Sequence, residues 1–370
     1  MSESDEDRAL EVGGGGPLLE GDAERALVPS PRLDRHVLSL DDGHRVQISV
    51  AGRGVPLVVV HGYTAEGLLY AQTLSRLVGS GFKVIAIDTA GHGGTEGLRE
   101  GAGDLKEYAE LLGRIVDHLG IRRAVFAGHS MGGRLVTELV ANDPERAIAV
   151  LLVDAIVGDT WDSMVGLYRV APPLMGVTGL TLAVDTISTL PVLADRRQAL
   201  KLLRLWLPVL THNVRRPLNL VGAAISILRS GPSRWMLDRL ADERVPVVVI
   251  HGDRDRAVPL RTARDAARRS RGELVVVHGA SHSWVLKDPE TLPAIIGELL
   301  LDTLGLHLRS ALARAGVDFG KPAIAEAERA LYEPGALIHD LTPAEVYDSG
   351  HPVERQPPRY TWTRSVPRHP

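Results

Sequence analysis

The chain contains no cysteine among its 370 residues. It can therefore form no disulfide framework, no thiolate-bound zinc or iron–sulfur site, and no cysteine nucleophile. Whatever reacts in this protein must be a Ser, Thr, His or Lys side chain, a carboxylate, or a bound cofactor.

An excess of positive charge and a long apolar run are also lacking. Lys and Arg number 42 against 46 Asp and Glu, so the net charge of −4 gives no electrostatic argument for a nucleic-acid partner. The longest charge-free apolar stretch, residues 170–184, is too short for a membrane span and contains Pro172 and Pro173. Residues 1–30 carry eight acids, the wrong sign for a secretory signal. We expect a cytoplasmic protein that binds no nucleic acid, with a peripheral membrane contact left open.

Short runs of Val, Ile and Leu recur along the chain, each followed by a glycine-containing loop and a helical stretch. Uninterrupted apolar runs are typical of strands covered on both faces, and helices between them indicate crossovers in a parallel sheet. The predicted strands are residues 36–40, 45–50, 57–60, 84–87, 124–127, 148–153, 245–250 and 274–277. The predicted helices are residues 65–78, 105–119, 131–142, 260–269 and 289–304. The sequence predicts an α/β fold with a mostly parallel central sheet and helices on both faces.

This alternation is interrupted once, and the interruption suggests how the chain is divided. Residues 155–243 are rich in Leu and Ala at helical spacing and predict an inserted helical cap. The core is then residues 35–154 and 244–304, preceded by an acidic head, 1–34, that reads as a solvated tail. Residues 305–370 form an extension of unknown role, for which Tyr360, Trp362 and several prolines suggest an ordered docking segment.

The sequence Gly128-His129-Ser130-Met131-Gly132-Gly133 follows a predicted strand directly and opens a predicted helix. A tight strand-to-helix turn strains the backbone of its central residue, and flanking glycines let neighbouring chains approach. Ser130 would also lie at a helix N-terminus, where backbone N–H groups favour a developing oxyanion. The pattern favours Ser130 as a nucleophile. A glycine-serine helix cap without chemistry is the alternative.

A serine nucleophile needs a base, and a histidine follows a later predicted strand. His282 lies on the loop beyond residues 274–277 and ahead of the next helix, at the level where it can meet Ser130. His278, nearer the end of the strand, is the competing candidate, and we interpret it as a structural residue of the loop.

The base in turn needs a carboxylate, and three acids are candidates. Asp255 lies in the loop after strand 245–250, three residues beyond a glycine and just before Pro259. Asp253 in the same loop is expected to bond backbone amides of the turn. Asp154, at the end of the preceding strand, is the third candidate. Asp255 is preferred because it lies deeper in its loop, directly ahead of the helix that Pro259 begins.

An oxyanion hole requires two backbone N–H donors. One is that of Met131, and the other is predicted to be that of Tyr63, just after strand 57–60. Asp88 and His92 belong to a glycine-built loop after the next strand, and we interpret them as loop structure without a catalytic role.

Together these motifs resemble the α/β-hydrolase superfamily. They are His61-Gly62, Asp88 with Gly91-His92-Gly93, the Gly128 to Gly133 motif, Gly252 with Asp255 and Pro259, and Gly279 with His282. The resemblance is strongest to the branch of esterases, monoacylglycerol lipases and C–C-bond hydrolases that carry a helical cap. It implies an acyl-cleaving enzyme with Ser130 as nucleophile, His282 as base and Asp255 as its partner.

The predicted cap is apolar for a surface segment. We expect it to cover Ser130 and to provide a pocket for an apolar acyl or alkyl group, although a small core of the cap itself would explain most of its apolar residues. The candidate substrate-binding residues are Trp161, Tyr168 and Trp206 in the cap and Trp284 beside His282. The segment also carries a basic face that could approach an anionic membrane, formed by Arg196, Arg197, Lys201, Arg204, Arg215 and Arg216.

The resulting hypothesis is a serine hydrolase that cleaves a carboxylic ester of an apolar small molecule or lipid through an acyl-enzyme intermediate. Such a mechanism needs neither a metal ion nor a cofactor, so we expect none. One alternative is cleavage of a C–C bond, or a lyase reaction, with the same triad. Another is a catalytically silent ligand-binding or scaffold protein of this fold. The sequence does not decide whether the protein forms a homo-oligomer.

Overall fold

A nine-stranded sheet forms the centre of the computed structural model. The structure describes residues 28–29, 33–63, 65, 67–98, 103–188, 217–317, 324–341, 352–353 and 356–365. In chain order the strands are β1 (Val28–Pro29), β2 (Asp34–Ser39), β3 (Arg45–Ala51), β4 (Val55–Val60), β5 (Phe82–Ile87), β6 (Ala124–His129), β7 (Ala147–Val153), β8 (Val247–Gly252), β9 (Glu273–Val277), β10 (Pro352–Val353) and β11 (Trp362–Ser365). Across the sheet their order is β11-β9-β8-β7-β6-β4-β5-β3-β2, and β1 pairs with β10 separately.

The middle of this sheet is parallel and its edges are antiparallel. The six strands β5, β4, β6, β7, β8 and β9 are parallel neighbours. Every residue of β5, β6, β7 and β8 is buried, which explains why these strands read as unbroken apolar runs. At one edge β3 and β2, which correspond to the predicted strands 45–50 and 36–40, form a hairpin whose turn contains Gly43 at φ +78°. The prediction of a mostly parallel α/β sheet is confirmed.

The helices cover the sheet in two groups. They are α1 (Ala71–Val78), α2 (Leu105–His118), α3 (Met131–Asn142), α4 (Asp159–Val170), α5 (Pro172–Ser188), α6 (Pro217–Arg229), α7 (Arg234–Asp242), α8 (Leu260–Ser270), α9 (Trp284–Lys287), α10 (Thr291–Leu301), α11 (Thr303–Arg314) and α12 (Ile324–Leu331). The connection from β4 to β5 runs toward one edge, and the later connections run toward the other. Right-handed crossovers therefore place α1 on the opposite face from α2 and α3. Accordingly α2 packs on α3, α3 on α7 and α7 on α8, whereas α1 packs on α10.

The region predicted as a cap lies between β7 and β8. Its described part contains α4, α5, α6 and α7 and no strand. α7 packs against α3 and α8, two helices of the predicted core. Trp206 and the six basic residues from Arg196 to Arg216 lie outside the described residues.

The C-terminal part of the chain returns to the sheet. The predicted helix 289–304 is instead two helices, α10 and α11, that meet at a bend of 59°. Beyond them, β11 pairs antiparallel with β9, with Trp362 opposite Val277 and Ser365 opposite Leu274. This segment covers an edge strand that would otherwise present unpaired backbone groups.

None of the described helices is by itself long and apolar enough to cross a membrane. The bent pair α10 and α11 meets that criterion only when its two helices are counted together.

Candidate active site

Ser130 occupies a strained turn between β6 and α3. Its backbone has φ +53° and ψ −116°, a conformation that side-chain-bearing residues rarely adopt. The turn can be tight because Gly132 and Gly133 lie where the neighbouring atoms leave no room for a Cβ. A Cβ added at Gly132 would lie 2.2 Å from the carbonyl oxygen of Val60, and one added at Gly133 would lie 2.4 Å from the Cβ of Ala155. The geometry is that of a nucleophile elbow.

His282 and Asp255 meet at the carboxyl ends of β8 and β9. Nδ1–H of His282 donates to Oδ2 of Asp255 at 2.6 Å, and both side chains are buried. The other oxygen of Asp255 accepts the backbone N–H groups of Ala257 and Val258, each at 2.8 Å. Because Nδ1 carries the proton, the neutral imidazole has its lone pair on Nε2, the atom that a general base uses.

The competing residues lie elsewhere in the loops. Asp253 accepts the backbone N–H of Gly279 at 2.7 Å, as expected for a turn residue. His278 is 40% exposed and lies 3.1 Å from the same carboxylate. The structure therefore places these two residues in a partly exposed pair, separate from the buried pair of Asp255 and His282.

Electrostatics reinforce the buried pair. Burial alone would lower the pKa of His282, but the adjacent Asp255 carboxylate outweighs it and raises the pKa to about 9. Burial would raise the pKa of Asp255, yet the His282 imidazole holds it below its ordinary value. Asp255 is thus ionised at neutral pH and stabilises a proton on His282.

Asp154 lies behind this pair without bonding to His282. It is buried at φ +46° and accepts the backbone N–H of Gly252 at 2.9 Å and Nε1–H of Trp284 at 2.7 Å. Burial, and then the nearby Asp255 charge, raise its pKa well above the ordinary range. In this structure it supports Trp284 and the start of the Asp255 loop.

The same region contains the one group of described residues whose ligand atoms could hold a metal ion. Atoms of Asp154, His251 and Asp255 lie within 4.8 Å of one another. The carboxylate oxygens already accept N–H donors, and Nε2–H of His251 donates to the carbonyl of Val258 at 2.9 Å. These bonds occupy the carboxylate oxygens and Nε2 of His251, whereas Nδ1 of His251 is buried without a hydrogen-bond partner.

The peptide between Gly62 and Tyr63 is oriented by a histidine. Nδ1–H of His61 donates to the carbonyl of Gly62 at 2.8 Å, and Nε2 of His61 accepts the backbone N–H of Thr89 at 2.9 Å. Burial keeps this imidazole neutral and lowers its pKa to about 4. In a trans peptide the N–H points away from the C=O, so the N–H of Tyr63 is directed opposite to His61. The loop lies close to Ser130, because a Cβ added at Gly62 would be 3.1 Å from that of Ser130.

A series of buried hydrogen bonds, which was not predicted from the sequence, connects the loop of Gly62 and Tyr63 to the loop that carries His282. The hydroxyl of Tyr70 donates to Nδ1 of His129 at 2.9 Å and accepts the backbone N–H of Gly62 at 3.5 Å. Nε2–H of His129 donates to the carbonyl of His282 at 3.0 Å. Burial, and then the neighbouring His282, lower the pKa of His129 to about 3, so it is neutral. Only the position of His129 beside Ser130 hinted at this role.

Two polar side chains of the loop after β5, Asp88 and His92, bond to backbone groups. Asp88 is buried and accepts the backbone N–H of Gly67 at 2.7 Å and the amide of Gln47 at 2.5 Å. Nδ1 of His92 lies 3.0 Å from the carbonyl of Ala90 within the same loop.

A cavity of about 280 Å³ opens at the elbow. Its walls include Ser130, Met131, Tyr63 and His282, which places four of the five predicted catalytic and oxyanion residues around one space. The remaining wall is mostly apolar and comes from α4 and α5 and their neighbours: Ile156, Trp161, Tyr168, Met175, Thr178, Gly179, Leu182, Ala183, Thr186, Ile227, Ala257 and Val258. The geometry can therefore accept an apolar group next to Ser130.

One residue that was predicted to bind substrate, Trp284, lies outside the wall of the cavity. Trp284 does not border this cavity; it is fully buried behind it, with its indole N–H on Asp154 and its ring 6.1 Å from that of Tyr360. Its position at the start of α9 turns the side chain toward the core. Trp161 and Tyr168, by contrast, meet edge to face in the cavity wall with ring centroids 6.3 Å apart.

Comparison with known proteins agrees with this geometry. The family model of the alpha/beta hydrolase family matches residues 57–294. The chain belongs to this family. This hydrolase is 33% identical over 276 residues to a protein of Mycobacterium phage D29 named "Putative non-heme haloperoxidase", covering 73% of this chain and 96% of that one. It is 30% identical over 250 residues to a monoacylglycerol lipase of Mycolicibacterium smegmatis, covering 64% and 84% of the two chains.

Solved structures show the same fold. A carboxylesterase of Nitrososphaera gargenis superposes with a TM-score of 0.57 at 21% identity, over 74% of this hydrolase and the whole of that chain.

Proposed function

We propose that this hydrolase is a serine esterase that cleaves carboxylic esters with an apolar acyl group through Ser130, His282 and Asp255. The observation that carries the proposal is the buried His282–Asp255 hydrogen bond of 2.6 Å beside a cavity that Ser130 also borders. A strained serine, a base and a carboxylate that orients the base are the three parts that acyl transfer to serine requires.

In the proposed mechanism Ser130 attacks the ester carbonyl while Nε2 of His282 takes its proton. Asp255 holds the imidazole in the required tautomer and stabilises the imidazolium. The backbone N–H groups of Met131 and Tyr63 bind the oxyanion, the first at the N-terminus of α3 and the second from the peptide that His61 orients. His282 then protonates the departing alcohol, and water releases the acyl group by the reverse steps.

The preference for an apolar acyl group follows from the cavity wall. Trp161, Tyr168 and Met175 present aromatic and thioether surface beside Ser130, and the space of about 280 Å³ suits a short or medium acyl chain rather than a large polar group. The monoacylglycerol lipase named above is consistent with such a substrate.

Labelling with a fluorophosphonate tests the nucleophile. We expect intact-mass analysis to find one adduct, located on Ser130 by peptide mapping and lost in Ser130→Ala. Ser310→Ala, an exposed serine on α11, is the matched control and should label like the unmodified protein. A folded protein that takes no adduct at Ser130, or cleaves no p-nitrophenyl ester of any chain length, would contradict the proposal.

A further inference from the structure

A second cavity reaches the proposed base from the other side. It has a volume of about 600 Å³ and shares His282 and Ala257 with the apolar cavity, but Ser130 is not part of its wall. Helix α5 contributes to the wall of both spaces, which meet at Ala257 and His282. Its residues Met175 and Leu182 face the apolar cavity, whereas Thr181 and Asp185 face the second one.

The wall of this second cavity carries a concentration of positive charge. Arg254 and Arg256 come from the loop that holds Asp255, and Lys287 comes from α9. Among the described residues, no carboxylate lies within salt-bridge distance of these three side chains. The one acid in the wall, Asp185, accepts the backbone N–H of Ser283 at 2.7 Å. Three cations against one acid contrast with the net charge of −4 of the whole chain.

The chemistry of acyl transfer assigns the two cavities to the two halves of an ester. The acyl carbon must reach Ser130 and the oxyanion donors, which border only the apolar cavity. The alcohol oxygen receives its proton from His282, so the alcohol departs on the histidine side. If the apolar cavity holds the acyl group, the second space that borders His282 is the one left for the alcohol.

We propose that this second cavity is a subsite for an alcohol that bears an anionic group, a carboxylate or a phosphate, bound by Arg254, Arg256 and Lys287. This inference rests on the proposed esterase function. Guanidinium groups bind both anions with paired N–H donors, and a cationic cleft also speeds the encounter with an anionic substrate.

The reaction balances without any further reactant. The bond between Oγ of Ser130 and the acyl carbon forms as the bond from that carbon to the alcohol oxygen breaks. The serine proton passes through His282 to the alcohol oxygen, and the anionic alcohol leaves through the cationic cavity. Water then cleaves the acyl-enzyme to the carboxylic acid and restores the hydroxyl of Ser130.

Three esters with one acyl chain test the subsite. They are the hexanoates of 4-hydroxymethylbenzoic acid, of its neutral carboxamide and of 4-hydroxymethylphenyl phosphate. At low salt we expect kcat/KM for at least one anionic ester to exceed that for the carboxamide by about tenfold, with the ratio falling as NaCl is added. The carboxylate and phosphate esters show which anion the cavity prefers.

Variants locate the effect. The triple variant R254Q/R256Q/K287Q should lose the preference for the anionic ester, so that its kcat/KM ratio of anionic to carboxamide ester falls to about one. The matched control K106Q/R239Q/R329Q removes the same net charge from exposed cations elsewhere and should keep the preference.

The outcomes separate the two proposals. Equal rates for anionic and neutral esters, or an equal loss of preference in both triple variants, would overturn the subsite and leave the esterase intact. If none of the esters is cleaved and Ser130 takes no fluorophosphonate, the esterase proposal fails and the subsite fails with it.

Discussion

At the scale of single residues, the elbow depends on missing side chains. Gly132 lies so close to β4 that a Cβ would be 2.2 Å from the carbonyl oxygen of Val60 and 2.6 Å from that of His61. Backbone atoms cannot give way as a flexible side chain can, so a methyl group here must displace α3 or the loop after β4.

We therefore expect Gly132→Ala to lower the free energy of unfolding by about 1–3 kcal/mol and to reduce esterase activity. Gly166→Ala on α4 is the control, because a Cβ there meets nothing within 4 Å and helical Ala is favoured over Gly. Urea denaturation and ester turnover measure both variants. Equal stability of the two would show that the elbow tolerates the extra atom.

The hydroxyl of Tyr70 links the loop of Gly62 and Tyr63 to the loop of His282 through His129. We expect Tyr70→Phe to reduce kcat several-fold with little change in KM. The variant loses the hydrogen bonds that position Gly62 and His282, while the residues that line the cavity stay the same. Tyr332→Phe removes a comparable buried hydroxyl, which donates to the carbonyl of Gly54 far from the site. Both variants should lose about 1 kcal/mol of stability, and only the first should lose kcat. A loss of stability alone would assign Tyr70 a purely structural role.

The raised pKa of His282 predicts the pH profile. Only the neutral imidazole accepts the serine proton, so kcat/KM should rise with pH, with a midpoint above the ordinary 6.5 of histidine. Asp255→Asn removes the charge that raises this pKa and should move the midpoint down. Asp253→Asn, on the same loop but bonded to Gly279, should leave it in place. A profile unchanged by Asp255→Asn would exclude Asp255 as the partner of the base.

At the scale of secondary-structure elements, one arginine of β11 connects this strand to β9 and to the region of α10 and α11. Arg364 contacts three carboxylates: Nε lies 2.5 Å from Glu273, and Nη1 lies 2.9 Å from Glu298 and 2.8 Å from Asp302. Its side chain is 13% exposed, so water replaces these contacts poorly.

We expect Arg364→Gln to lower the free energy of unfolding by about 1–2 kcal/mol, because it leaves three neighbouring carboxylates without their shared cation. Arg329→Gln on α12 removes a cation that is 75% exposed and should change stability by less than about 0.5 kcal/mol. Urea denaturation at low and high salt compares them. Indistinguishable midpoints would show that β11 is held by its backbone pairing alone.

The elements that could be predicted from the sequence are those whose signal is local. The parallel strands appear as apolar runs because both their faces are covered, and the predicted helix 131–142 has the bounds of α3. β11 was missed because its four residues alternate between half-buried and exposed, and because its partner β9 lies far back in the chain. The break between α10 and α11 was missed because apolar residues stand on both sides of it, although Asp302 between them caps α11.

At the scale of the whole molecule, the order of the strands explains why the motifs converge. β4 lies between β5 and β6, where the chain reverses its direction across the sheet, and ligands bind in such crevices. The loops after β4 and β6 bring Tyr63 and Ser130 together there, and the loops after β8 and β9 add Asp255 and His282. Motif order therefore predicted that these loops meet at one end of the sheet. Trp284 failed as a pocket residue, and Tyr70 and His129 escaped notice, because side-chain direction and contacts between distant loops leave no local pattern.

The pairing of β11 with β9 also affects the order in which the structure can form during translation. The strand that precedes the His282 loop gains its second neighbour only from residues 362–365, and the backbone N–H of His278 donates to the carbonyl of Thr361 at 2.8 Å. Since domains form as the chain emerges from its N-terminal end, β4 to β9 can assemble first. The nascent chain can thus form the Ser130 turn before β9 gains this second neighbour, and that pairing requires residues 362–365 to have left the exit tunnel.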